Sequence, residues 1–219
     1  MTPRGVRDLF LLSAVAAGLF VFTIAAALAL RGEPYAFDRA VLLGLRRGAD
    51  LSAPIGPDWL PGFARDLTAL GGTPVLTLMT LILVGYFLVK RKTASLIILL
   101  AAVLGETIIV HALKDLFGRA RPDVVPHLVE ATSASFPSGH SASASAIFLT
   151  VAALVAREAT TSRVRKYVFA VAVVLALMVG ASRVFLGVHY PTDVIGGLAF
   201  GAAWAALVFI VARRVEKRS

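Results

Sequence analysis

The sequence predicts an all-α integral membrane protein: six transmembrane helices in one bundle, with a short amphipathic helix in the first outer loop. Three observations carry this. Of 219 residues, 58% are hydrophobic and only 16% charged, where a soluble domain carries roughly a quarter charged residues. Mean hydropathy is +0.83. The apolar residues also fall in blocks close to the roughly 20 residues that cross a hydrocarbon core about 30 Å thick. This composition excludes a disordered chain, a disulfide-rich secreted module and almost any soluble enzyme. There is no Cys, so disulfides, thiolate metal sites and a thiol nucleophile are excluded as well. One domain, 1–219, is expected.

Six segments qualify or nearly qualify as spans. Leu9–Leu30 is free of charge, and its 22 residues exceed the roughly 7–15 of a signal-peptide core. A retained span is therefore expected, although Ala27-Leu28-Ala29 could be cut. Thr73–Val89 is equally clean and closes on Lys90-Arg91-Lys92. Thr93–Leu113 holds Glu106 and His111. Ser141–Ala156 is short and opens with alternating Ser141, Ser143 and Ser145. Tyr167–Leu186 stays apolar until Arg183, and Thr192–Ala212 runs from Asp193 to Arg213-Arg214. In the connection 31–72, Phe37, Val41, Leu42 and Leu45 can share one helical face opposite Arg39, Arg46 and Arg47. Trp59, Leu60 and Phe63 follow among Pro and Gly. This segment reads either as an amphipathic helix on the outer leaflet or as a lid over a lipid-entry portal, and the two are compatible.

The formal charge of +9 suits anionic headgroups and the positive-inside bias, with no nucleic-acid partner expected of so apolar a chain. Thirteen of the 22 basic residues lie at Arg4 and Arg7, at 90–92, in the loop 157–166 and in the tail after Ala212. The alternate connections hold the other nine. Both termini are thus expected in the cytoplasm, with 31–72, 114–140 and 183–191 on the far side.

The charges expected on that far side are clustered. Lys114 and Arg121, with six residues between them, precede Pro122. Phe136-Pro137-Ser138-Gly139-His140 leads into the fourth span. Ser182-Arg183 is followed by His189-Tyr-Pro-Thr-Asp193. Each part has a use if the ligand is a phosphoryl group, whose transfer demands charge around three equatorial oxygens. Lys114, Arg121 and Arg183 could supply it, the arginines as bidentate forks. Ser138 and Gly139 before a helix offer free N–H groups, a positive dipole end and a hydroxyl. Asp193, four residues after His189, could accept from Nδ1, which fixes the tautomer and leaves Nε2 to attack. His140 then remains to protonate a departing alkoxide. Taken singly, each feature is as well explained by headgroup anchoring, a helix cap or an interfacial histidine. Their coincidence on one membrane face points to an anion-processing site.

These three stretches resemble the tripartite signature of the type 2 phosphatidic acid phosphatase superfamily. That family includes bacterial undecaprenyl-pyrophosphate, phosphatidylglycerophosphate and lipid A phosphatases, and the soluble vanadium haloperoxidases. All three motifs are complete and in order over 114–193, 80 of 219 residues; residues 1–90 carry no transferable motif. The resemblance implies phosphate ligation by Lys114, Arg121, Ser138, Gly139 and Arg183. It implies a phosphohistidine at His189, orientation by Asp193 and general-acid catalysis by His140. It implies no metal or other cofactor.

Outside the signature, Glu106 is an ionisable group within a span, which is costly and often functional. A bonded partner on another helix, such as the Ser141–Ser145 row, would give it a structural role. Gly197 and Gly201 form a small-xxx-small pattern suited to packing within the bundle, and His127 is expected to be solvated. The resulting expectation is a metal-independent lipid phosphate phosphatase. It would sit in a bacterial cytoplasmic membrane and act on the extracytoplasmic leaflet, with undecaprenyl pyrophosphate as leading substrate. Phosphatidic acid or phosphatidylglycerophosphate, a lipid phosphotransferase, and an idle lipid-binding protein are the alternatives. Oligomeric state is left open.

Overall fold

The computed structural model describes residues 3–31 and 35–216. The side chains of Arg4 and Arg7, and Lys217 and Arg218, which entered the charge count, lie outside the described residues. The chain is mostly helical. In order come α1 (Pro3–Ala29), α2 (Ala36–Gly44), strands β1 (Arg46–Arg47) and β2 (Asp50–Pro54), α3 (Leu60–Ala69), α4 (Thr73–Val89), α5 (Thr93–Phe117), α6 (Gly139–Glu158), α7 (Ser162–Phe185) and α8 (Pro191–Glu216). Five of these, α1 and α5 to α8, are long and apolar enough to cross a membrane. The pair α3 and α4, bent by 42° at its break, makes a sixth if counted as one span. The sequence expectation of a span at Thr73–Val89 therefore changes in form: α4 has only 17 residues, and α3 supplies the missing length. Gly71 lies in the break, where a Cβ would stand 3.0 Å from the His140 carbonyl oxygen. A glycine there lets the break lie against the start of α6.

α6 is the centre of the bundle, packed on α5, α7 and α8, while α1 lies along α8. Its buried face is built of Ser141, Ala142, Ala144, Ser145 and Ala146, small residues that let backbones approach where lipid supplies no hydrophobic drive between helices. Gly197 of α8 extends this contact, since a Cβ there would stand 3.1 Å from Ser141 Cβ and 3.2 Å from the Ala142 nitrogen. Large apolar side chains such as Phe10, Phe20, Leu81, Ile108 and Tyr167 point outward, as expected where the surroundings are acyl chains. Glu106 is fully buried in α5 and accepts from Ser143 Oγ of α6 at 3.0 Å, the interhelical contact foreseen as one possibility.

The connection between α1 and α4 departs furthest from expectation. α2 ends at Gly44, and the chain turns into a short antiparallel hairpin, β1 with β2. Leu45, Arg46 and Arg47 are thus not on its helix faces. Arg46 is buried and donates to the Phe185 carbonyl at 3.1 Å. Phe37, expected on an apolar face, is exposed, whereas Asp38 and Leu42 are fully buried. Leu42 packs with Val125, Val184, Tyr190 and Val194. The loop 157–166 is also mostly helix: α7 starts at Ser162, capped by Thr161 Oγ1, which accepts from the Val164 N–H at 3.3 Å. His127 is exposed, with Nε2 2.6 Å from the Pro122 carbonyl.

Candidate active site

The C-terminal ends of α5 and α7 and the N-terminal ends of α6 and α8 meet at one end of the bundle. The Asp8–Arg213 ion pair, 2.5 Å, ties the start of α1 to the end of α8 at the other. At the first end lies a cavity of about 400 Å³, lined by Lys114, Arg121, Gly139, His140, Arg183 and His189, and deeper in by Glu106, Thr107, Val110 and Ser143. Six of the eight residues singled out in the sequence therefore face one void. Ser138 and Asp193 are fully buried outside it. The Ser138 hydroxyl accepts from Ser141 at 2.9 Å, and its N–H donates to the Asp193 carbonyl at 3.1 Å. The Ser138 hydroxyl is thus engaged within α6, while the N–H groups of Gly139 and His140 in the first turn have no intrahelical acceptor.

The three cations are held by neutral partners. Lys114 Nζ donates to the Ala134 carbonyl. Arg121 donates from Nε to the Ser133 carbonyl (2.8 Å), and from Nη1 to the Val188 carbonyl (2.7 Å). Arg183 Nη1 donates to Thr68 Oγ1 of α3 at 3.0 Å, while its Nε is buried with no partner. A buried donor left unpaired costs about 1–3 kcal/mol, which an arriving oxyanion would recover. Burial lowers the Arg121 guanidinium from its ordinary value, and the Asp193 carboxylate works against that shift.

His189 is almost fully buried. Its Nε2 is 3.2 Å from Arg121 Nη1. A guanidinium only donates, so Nε2 must be the acceptor and Nδ1 the protonated nitrogen. On that side the geometry is more elaborate than a direct His–Asp bond. Nδ1 is 3.5 Å from Asp193 Oδ2 but 3.3 Å from Ser135 Oγ, which itself donates to Oδ2. Ser135 therefore relays the orienting interaction. Desolvation of the ring pulls the His189 pKa down to about 4 against the opposing pull of Asp193, so the imidazole is neutral at neutral pH, with its Nε2 lone pair turned to Arg121. Asp193 also accepts from the Tyr190 N–H at 3.0 Å and from Arg119 Nη1 at 2.5 Å.

Sequence reasoning missed Ser135, Arg119, Asp38, Thr192 and Thr68, all buried around the pair or the cations. Arg119 lay within the basic run 114–121, and Asp38 was an acid beside the apolar positions of α2. No local pattern marked Thr68. Among the described residues, no group of three or more His, Cys, Asp or Glu is placed to hold a metal ion.

Fold and site together define a helical membrane protein in which three cations and a buried histidine line one cavity. The comparisons with known proteins agree. The model of the PAP2 superfamily matches residues 95–217. Phosphatidylglycerophosphatase B of Bacillus subtilis is 38% identical over 146 residues, covering 65% of this chain and 70% of the relative. Lipid A 1-phosphatase of Rhizobium etli is 32% identical over 189 residues, covering 74% and 77%. The crystal structure of a transmembrane PAP2 type phosphatidylglycerolphosphate phosphatase from Bacillus subtilis superposes with a TM-score of 0.79 at 29% identity, covering 91% of this chain and 97% of that one. The chain belongs to the PAP2 superfamily and, its relatives being phosphatases, is a phosphoric ester hydrolase.

Proposed function

We propose that this protein is a single-domain, six-span lipid phosphate phosphatase of a bacterial cytoplasmic membrane. Both termini lie in the cytoplasm and the cavity opens to the extracytoplasmic leaflet. The charge bias of the connections supports this orientation. The observation that carries the chemistry is His189 Nε2, an acceptor lined up with Arg121 at the cavity wall. When a lipid phosphate enters, Lys114, Arg121 and Arg183 exchange their carbonyl and hydroxyl partners for its oxygens, joined by the Gly139 and His140 N–H groups. Charge developing on the equatorial oxygens is thereby stabilised in a site already organised for it. Nε2 attacks phosphorus in line, and the bond from phosphorus to the lipid oxygen breaks. His140 gives that oxygen its proton, leaving lipid alcohol and phosphohistidine. Water, deprotonated by His140, then attacks phosphorus, the P–N bond breaks, and inorganic phosphate leaves. The reaction as written uses no metal.

The relatives support phosphatidylglycerophosphate as the first substrate to examine. Undecaprenyl pyrophosphate, favoured from sequence, shares the terminal phosphate and belongs beside it, with phosphatidic acid third. The test is phosphate release by detergent-purified protein in EDTA from these three lipids, with His189→Ala as control. EDTA-resistant release that the variant loses is expected. Transfer of phosphate to an acceptor without free phosphate would make the protein a phosphotransferase. No reaction with any of the lipids, in folded protein, would overturn the reading.

A further inference from the structure

Behind His189, out of reach of any ligand in the cavity, a second set of charges is buried. Asp38 of α2 is fully buried. Its Oδ1 accepts from the Thr192 N–H at 3.0 Å, and its Oδ2 from Thr192 Oγ1 at 2.7 Å and from Arg119 Nη2 at 3.2 Å. Arg119 Nη1 donates to Asp193 Oδ1 (2.5 Å) and Thr192 Oγ1 (2.8 Å). The same guanidinium lies over the Tyr190 ring, 4.4 Å from its centroid. Apart from the Asp38–Arg119 pair itself, each of these contacts ends within 190–193, the four residues that follow the nucleophile and include its orienting carboxylate.

The physical role of the set follows from the freedom it removes. A carboxylate turns easily about its last torsion, whose energy wells are broad. Arg119 fixes Oδ1, which leaves Oδ2 to face Ser135, the Tyr190 N–H and the imidazole. One guanidinium shared by two buried carboxylates also lowers the negative field at His189. Asp38 in turn fixes Arg119, because the second fork nitrogen is committed to it. We infer that Asp38 and Arg119 are positioning residues of the reaction: Asp38 holds Arg119, and Arg119 holds Asp193 in the one orientation that steadies the attacking histidine. This makes α2, which carries no part of the signature, a working part of the site. The inference rests on the phosphatase reading above.

The test uses Arg119→Lys, which keeps the charge but lacks the rigid fork that meets both carboxylates, and Asp38→Asn, which keeps the size. Steady-state kinetics on phosphatidylglycerophosphate are paired with inhibition by vanadate, a phosphate analogue that reports on Lys114, Arg121 and Arg183. A kcat lower by about ten- to a hundredfold is expected, the cost of misplacing a reacting group by a fraction of an ångström to an ångström. KM and the vanadate inhibition constant should stay within about twofold, because that machinery is untouched. The double variant should be little worse than the poorer single one, as for residues acting through one chain of contacts. Melting in detergent checks folding, and Asp38→Asn serves alone if Arg119→Lys does not fold. Unchanged kcat in a folded variant overturns the inference, as does a parallel loss of kcat and vanadate affinity. Absence of turnover in the wild type would instead sink the phosphatase reading, a separate result.

Discussion

The two sides of His189 are built in opposite ways. Toward the cavity, Lys114, Arg121 and Arg183 spend their donors on neutral acceptors, namely main-chain carbonyls, the Ser133 and Thr68 hydroxyls and, from Arg121, His189 Nε2, and Arg183 Nε on nothing. Toward the interior, Asp193, Arg119, Asp38, Thr192 and Ser135 are closed into a network in which charge meets charge. The front is a set of cations awaiting a better acceptor, and the back is already satisfied. On the proposed mechanism, a site arranged this way would admit and release phosphate without disturbing the geometry of His189. Front residues should therefore govern binding and turnover together, and back residues turnover alone.

The largest break in this comparison is removal of the group between the two sides. His189→Ala should lower kcat by at least about a thousandfold, the scale on which loss of a nucleophile acts, while vanadate still inhibits residual binding of substrate through the cations. On the front, Arg183→Ala should reduce kcat/KM by about a hundredfold and weaken vanadate inhibition with it. A variant that lost one without the other would dissolve the distinction between front and back.

The pH response sharpens the comparison further. Burial holds the His189 pKa near 4, so the ring stays neutral as pH falls through the ordinary histidine value of about 6.5. Nitrogen NMR of histidine-labelled protein should show His189 uncharged at pH 5.5, and an imidazolium there would contradict the neutral nucleophile. The smallest effect is expected deeper in the cavity, away from the three cations. Ser143→Ala removes the interhelical partner of buried Glu106, and should cost about 1–3 kcal/mol of stability, read from melting in detergent, with kcat changed less than in any variant above.

What could be read from sequence follows the same division. Lys114 to Pro122, Pro137 to His140 and Arg183 to Asp193 are local strings, and charge at the ends of apolar blocks is a strong signal in a membrane protein. The structure brings six of the eight residues chosen that way to one cavity. The back could not be read so. Asp38 reaches Arg119 and Thr192 across 81 and 154 residues, and no spacing within α2 announces partners that far along the chain. Arg119 was visible as one more cation in a basic run, with nothing to separate it from its neighbours that face the cavity. The α3–α4 bend was hidden for a different reason. Arg65 and Asp66 interrupt the apolar pattern of α3, so only the clean stretch after Gly71-Gly72 read as a span.

The central claim is that phosphorus becomes bonded to His189. The most direct measurement is rapid quenching of the enzyme during turnover of a lipid carrying a labelled terminal phosphate, with EDTA present and alkaline workup to preserve phosphoramidate, followed by mass spectrometry of the peptide spanning 183–193. Label on His189 in the wild type, and none on that peptide in His189→Ala, is the result this account predicts. Rapid turnover with no label on the protein at any quench time, or turnover that survives in His189→Ala, would contradict it.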